Sequence, residues 1–287
     1  MTNKPKLTVC LTHDVDRVKK TYQYFSKPFQ SLLKMNFNLF FKQLLSIFKK
    51  NPYWCFDKII TIEKKYNIKS TFYFLDESIS FNLFNYDTWK LSLGRYKLDD
   101  KNIIKIIKKL DTEGFEIGLH GSYNSFKDIN LLKNEKKKLE NILNKKIIGI
   151  RQHYLNLDKD TWKLQAQAGF KYDSSFGHLR KIGFKENKFH PFRPFKDYFT
   201  VFPLVIMDAN LFQNDQSITS ILKECNKIID IAIEKNAILV INWHQRVFNE
   251  QEFPKFKEIY EKLILKLKSK NANFQKLEKV YYDLNKK

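Results

Sequence analysis

Short apolar runs that close on polar clusters recur along the chain: LTVCL from Leu7, STFYFL from Ser70, FEIGL from Phe115, IIGIR from Ile147, VFPLVIM from Val201 and AILVINW from Ala237. Runs of this kind suit strands of a parallel sheet that is covered on both faces. Between most of them apolar residues fall at helical spacing. Examples are NIIKIIKKLDTEG, where Gly114 is placed to end the helix, and SILKECNKIIDIAIEKN. About six or seven such alternations predict βαβ units in a mostly parallel sheet or barrel. No fixed-period repeat or low-complexity linker divides the 287 residues, so they are read as one α/β domain, 1–287.

The polar clusters share a position. His13, Asp14 and Asp16 follow the first run, His120 the third, Arg151 and His153 the fourth, and His244 the last. In parallel barrels the C-terminal strand ends carry the functional groups. Buried ionisable groups are costly unless paired, hydrogen-bonded or bound to a metal. Four strands therefore deliver titratable side chains to one rim, which points to a site. Local alternatives stay open: Asp14 and Asp16 could cap a helix starting near Arg17, and His120 could stand in a tight turn at Gly121. His178 and His190 fall in the loop-like GHLRKIGFKENKFHPFRPF and are read as solvated or on the substrate side.

Residues 17–56 break the rhythm, being too long for a simple βα connection. They are read as a helical insertion, rich in aromatic and basic residues. It either packs over the barrel mouth or lies as an amphipathic helix on an anionic membrane. The whole chain is basic, with 52 Lys and Arg against 31 Asp and Glu, a net charge of +21. Its lysines are scattered and accompany no nucleic-acid reading module, so nucleic acid is disfavoured as a partner. Cys10, Cys55 and Cys225 lie too far apart in sequence for a zinc knuckle or a disulfide framework, which fits a reducing compartment. No early apolar core precedes a small-residue cleavage site, and no run is long enough to span a bilayer. The expected location is cytoplasmic, with peripheral contact at the inner membrane as an option.

With this rim assembled, the chain resembles the polysaccharide deacetylase superfamily, the carbohydrate esterase family four-like hydrolases, as a divergent Asp-x-Asp member. THDVD resembles the first motif, EIGLHGSYNS the second, GIRQHY the third, YDSSFG the strand that follows and LVINWH the last, in the family's order from Leu7 to Phe248. The resemblance implies a distorted, incomplete (β/α) barrel of about seven parallel strands, with the insertion outside the common core. It also implies a divalent metal, zinc first and cobalt, nickel or manganese as alternatives, held by one aspartate and two histidines. Asp14 is then the base, Asp16 and His120 are metal ligands, His244 is the acid, and Arg151 holds the catalytic aspartate. Asp173 or Asp208 is the candidate carboxylate beside His244, with Asp173 the catalytic choice and Asp208 grouped with the substrate contacts.

The departure from the motif lies at Asn124, where the second motif normally supplies another histidine. An amide oxygen suits zinc less well than imidazole. Either His153 moves in as the replacement ligand or Asn124 serves weakly. A differently metallated enzyme, or a barrel that binds sugar without hydrolysing it, are the other readings. Tyr154, Phe176, Trp243 and the FHPFRPF loop, with Arg180 and Arg193, are candidates for stacking on a sugar. The serines of YDSSFG lack a nucleophile elbow, which disfavours a serine hydrolase. The expected substrate is an N-acylated sugar of a bacterial surface polysaccharide or of its lipid-linked precursor. Another small amide is the enzymatic alternative.

Overall fold

The computed structural model describes residues 7–33, 35–48, 51–196, 198–212 and 217–286. Nine strands form one sheet: β1 (Thr8–Val15), β2 (Thr71–Leu75), β3 (Glu116–Gly121), β4 (Gly149–Gln152), β5 (Tyr172–Asp173), β6 (Thr200–Val201), β7 (Leu204–Met207), β8 (Ile238–Asn242) and β9 (Asn273–Phe274). Their order is β6-β5-β4-β3-β2-β1-β8-β7, all parallel, with β9 added beside β1. Eight parallel strands on this path, with β9 beside β1, meet the expectation of a barrel of about seven. The stretch VFPLVIM does not form one strand, because Pro203 has no N–H to donate and separates β6 from β7.

That break curls the sheet so that its two edges come near each other. Strands β6 and β7 stand at opposite ends of the strand order, yet only Phe202 and Pro203 lie between them. Three peptide steps span at most about 11 Å, so the two edges must meet. At the seam the Leu204 N–H donates to the Phe176 carbonyl at 2.9 Å, and Gly177 bridges Leu204. The result is a distorted, incomplete (β/α) barrel.

Side chains alternate between the barrel interior and the surrounding helices. On β1, Val9, Leu11 and Val15 belong to the core shared with the helices, whereas Cys10 belongs to the interior cluster with Tyr73, Tyr172 and Val240. Two glycines make room for the interior rings. A Cβ on Gly149 would lie 2.1 Å from the Tyr172 hydroxyl, and one on Gly118 would lie 2.5 Å from the Tyr73 ring. The C-terminal helix Leu277–Asn285 contributes Leu277, Val280 and Tyr281 to the same cluster. The interior is therefore filled by side chains, and functional groups are left to the end where the strands finish.

Within 17–56 the described residues form helices Gln23–Leu33 and Phe37–Leu45 and a short turn Ser46–Phe48. No helix begins at Arg17, so Asp14 and Asp16 do not cap one. The side chains of the insertion are sorted unusually. Gln23, Ser31, Gln43 and Ser46 are buried, and Phe25, Phe29, Leu33, Phe37 and Phe41 are exposed. None of the described helices is long and apolar enough to cross a membrane.

Candidate active site

The alternation that fills the barrel also selects the site. Asp14 on β1 and Asp16 just past its end, His120 on β3, Arg151 and His153 at β4, and Asn242 and His244 at β8 fall in phase, the paired ones two residues apart. Their side chains gather at one end of the barrel, and Asp14, Asp16, His120, His153 and His244 line a cavity of about 1090 Å³. His13 is out of phase. It faces the helix layer, with Nε2 2.8 Å from Glu63 Oε1 and Nδ1 2.7 Å from the Trp243 carbonyl, and belongs to the packing rather than the rim.

Asp14 is held from two sides. Arg151 Nη1 donates to its Oδ1 at 2.9 Å and Asn242 Nδ2 to its Oδ2 at 2.8 Å. Burial pushes the carboxyl up, but Arg151, then His120 and His244, outweigh it and hold the pKa below the usual range. Arg151 is fully buried; Nη1 also lies 2.8 Å from Thr12 Oγ1 and from Asn242 Oδ1, and Nε and Nη2 donate to the Ser174 carbonyl and hydroxyl. Its guanidinium lies 4.6 Å from the Tyr73 ring centroid.

Beside this pair, Asp16, His120 and His153 each present one ligand atom, all within 4.8 Å of one another. His120 Nδ1 lies 2.8 Å from the Arg151 carbonyl, which can only accept, so its proton is there and Nε2 offers a lone pair. That Nε2 lies 3.2 Å from Asp16 Oδ1, a buried oxygen without a hydrogen-bond partner. His153 Nδ1 is 3.3 Å from Glu77 Oε2, which likewise turns its Nε2 toward Asp16. Burial lowers the His153 pKa to about 4, against Glu77 and Asp16, so the ring is neutral at physiological pH, as a ligand must be. An oxygen and two imidazole nitrogens with carbonyl and carboxylate groups behind them suit zinc, cobalt, nickel or manganese. The trio fits a divalent metal.

Two cations also reach this trio. Arg246 Nη1 donates to Asp16 Oδ2 at 2.8 Å, and Arg95 Nη2 lies 3.2 Å from His153 Nε2. For Asp16, burial raises the pKa, but the neighbouring His120, His244 and Arg246 bring it well below the ordinary value.

On the far side of Asp16, His244 Nδ1 lies 2.6 Å from Asp208 Oδ1. Burial disfavours the imidazolium, yet Asp208 prevails and raises the pKa to about 9. Asp208 is buried and also accepts from the backbone N–H groups of His244 and Ala209. It orients His244 and does not line the cavity, which corrects its grouping with the substrate contacts.

Three further expectations change. Asp173 faces away from His244 and accepts from Trp162, Gln165 and Ser175, so it supports the β5 end and takes no catalytic position. Trp243 is fully buried against Phe212, Phe256 and Tyr260, because it alternates with the inward Asn242 and His244; it cannot stack on a sugar. Asn124 begins the short turn Ser125–Lys127 and does not line the cavity, so His153 rather than Asn124 completes the trio. Tyr154 does line it, packed on His153 at 4.5 Å between ring centroids. Tyr154 and Leu155 both have positive φ, 58° and 54°. Such backbone costs energy and persists where the surroundings impose it. Phe176 is buried, and Arg193 pairs with Asn285 and Tyr198 outside the cavity.

Sequence reasoning missed Asn242, Glu77, Arg95 and Arg246. Asn242 and Arg246 had a signal, since each stands two residues from His244. Glu77 and Arg95 arrive from loops after β2, where no periodicity marks them.

The turn after His120 rests on another buried acid. Glu135, on helix Ile129–Leu143, accepts from the Ser122 N–H at 3.2 Å, and its second oxygen is unpartnered. Burial first, with Asp76 and Glu77 adding, raises its pKa to about 8. The folded state therefore keeps a proton that the unfolded chain releases above about pH 4.5, and stability falls as pH rises from there through the folded pKa. Glu135→Gln removes this penalty: urea midpoints measured from pH 5 to 9 should show the variant gaining on wild type toward alkaline pH, by on the order of 1–3 kcal/mol at the top. A constant difference across that range would refute the assignment.

No protein-family model matches the chain, and no curated protein matches it in sequence. Solved structures do. A "probable polysaccharide deacetylase" of Pseudomonas aeruginosa PAO1 matches with a TM-score of 0.61 at 12% identity, over 98% of this chain and 92% of that one. PuuE allantoinase matches with a TM-score of 0.61 at 13% identity, over 98% and 91%. A pseudoenzyme of carbohydrate esterase family four from Bacillus anthracis matches with a TM-score of 0.51 at 12% identity, over 97% and 66%. The chain has the polysaccharide deacetylase fold, with a buried Asp/His/His group that could bind a metal. At these identities the likeness is one of fold; the chemistry rests on the site.

Proposed function

We propose that the protein is a metal-dependent hydrolase that removes an N-acyl group, acetyl first, from a sugar of a bacterial surface polysaccharide or its precursor. The observation that carries this reading is the joint presentation to one cavity of the Asp16/His120/His153 trio, the Arg151-held Asp14 and the Asp208-held His244. A divalent cation at the trio would polarise the amide carbonyl and ease deprotonation of water at neutral pH. Asp14, kept ionised by Arg151, takes the proton as the water oxygen bonds to the carbonyl carbon. His244 carries its proton on Nε2 toward the cavity and gives it to the amine nitrogen as the C–N bond breaks, leaving free acid and amine. Tyr154 offers an exposed ring at the cavity wall for a sugar face.

A second reading is favoured by Arg95 and Arg246, which bring positive charge onto the ligand atoms: a barrel that binds glycan and does not hydrolyse it. Metal content separates the two. Protein purified without chelator or nickel affinity should carry about one equivalent of metal, lost in Asp16→Ala, His120→Ala and His153→Ala and kept in Asn124→Ala. The metal-loaded protein should release acetate from N-acetylated sugar oligomers. Failure of the wild type to take up zinc, cobalt, nickel or manganese would overturn the hydrolase reading, and glycan binding that persists in chelator would support the second.

A further inference from the structure

We propose that the hairpin of helices Gln23–Leu33 and Phe37–Leu45 is a docking surface that seats the protein on an anionic lipid bilayer. Its polarity is reversed. The covered side is polar apart from Pro28: Gln23, Ser31, Gln43 and Ser46 are buried, and buried Lys20 meets Ser46 and pairs with Glu252. The side facing solvent is apolar. Of the 23 exposed large hydrophobic side chains among the described residues, eleven lie between Phe25 and Phe48, with Phe25 76% and Phe48 87% exposed. Water penalises such a concentration, and soluble surfaces seldom carry it without a partner.

Charge indicates which partner. From Arg17 to Phe56 the sequence holds eight Lys and Arg and no Asp or Glu. Large apolar side chains with lysines and no acids are the composition of helices that lie in the interface of anionic membranes. A second copy would bring two such basic faces together with no carboxylate to neutralise them.

The surface is continuous with the site. Phe25, Phe29 and Lys27 of the hairpin line the cavity, and so do Trp89 and Lys90 of helix Tyr86–Ser92, which follows exposed Phe81, Leu83 and Phe84. The cavity mouth therefore opens beside the apolar face.

Sedimentation with vesicles tests this, using metal-free protein without substrate so that its outcome is independent of the hydrolase reading. Wild type should pellet with vesicles of phosphatidylcholine and phosphatidylglycerol and far less with phosphatidylcholine alone. Phe41→Asp/Phe48→Asp, at positions away from the cavity, should lose binding by about tenfold or more, and Phe41→Trp/Phe48→Trp should keep it. Circular dichroism checks that each variant is folded. If the Asp variant does not fold, the wild-type preference for anionic vesicles and the Trp variant decide. Wild type remaining in the supernatant with anionic vesicles, or an Asp variant that binds unchanged, would overturn the proposal. So would a lipid-free dimer dissolved by the Asp pair, which would assign the face to a second copy.

Discussion

Asp14→Asn is expected to keep its metal and lose turnover by about 10²–10⁴-fold, the span of a positioned acid–base group. The substitution preserves shape and leaves one oxygen to accept from Arg151, but the amide cannot take a proton from water. Asp14 is no part of the Asp16/His120/His153 trio, so elemental analysis should read wild-type metal beside the lost acetate release. His244→Ala should lower turnover in the same way. Full activity in Asp14→Asn would remove Asp14 as the base. Loss of metal together with activity would make it a ligand, and the two measurements distinguish these outcomes.

Arg151→Ala is expected to give the largest loss of stability, about 3–5 kcal/mol. The guanidinium is fully buried and is hydrogen-bonded to Asp14, Thr12, Asn242 and Ser174. Removing it leaves a buried carboxylate without its counter-ion and several acceptors unpaired. Urea unfolding should show the loss. Arg151→Ala/Asp14→Asn should recover part of it, because the stranded charge is gone, and the non-additivity measures the pairing. An Arg151→Ala midpoint close to wild type would mean that water reaches the site and solvates Asp14.

Legibility differed between elements for physical reasons. The apolar runs ending in His, Asp and Arg were visible because a strand buried on both faces is a local composition. Strand β5, two residues long, has no such composition, and its pairing with β4 and β6 is set by the sheet. The insertion was recognisable as aromatic and basic, but not which of its sides faces water. That depends on what it packs against, and in the fold the polar side is the one covered.

By itself the sequence determined the α/β alternation and the placing of ionisable groups at strand ends. The two-residue phase that joins Asp14, Asp16, His120, Arg151, His153 and His244 and sends His13 and Trp243 into the packing follows from spacing only once the strands are placed, and His13 and Trp243 were expected at the rim. Only the tertiary structure decided that Asp208 and not Asp173 meets His244, that His153 stands with Asp16 and His120 while Asn124 lies off the cavity, and that Arg95, Arg246 and Glu77 surround them. Those pairings join residues tens to hundreds of positions apart. They are set by how a curled sheet brings its edges and loops together, and no local pattern of hydrophobic and polar residues encodes that curvature.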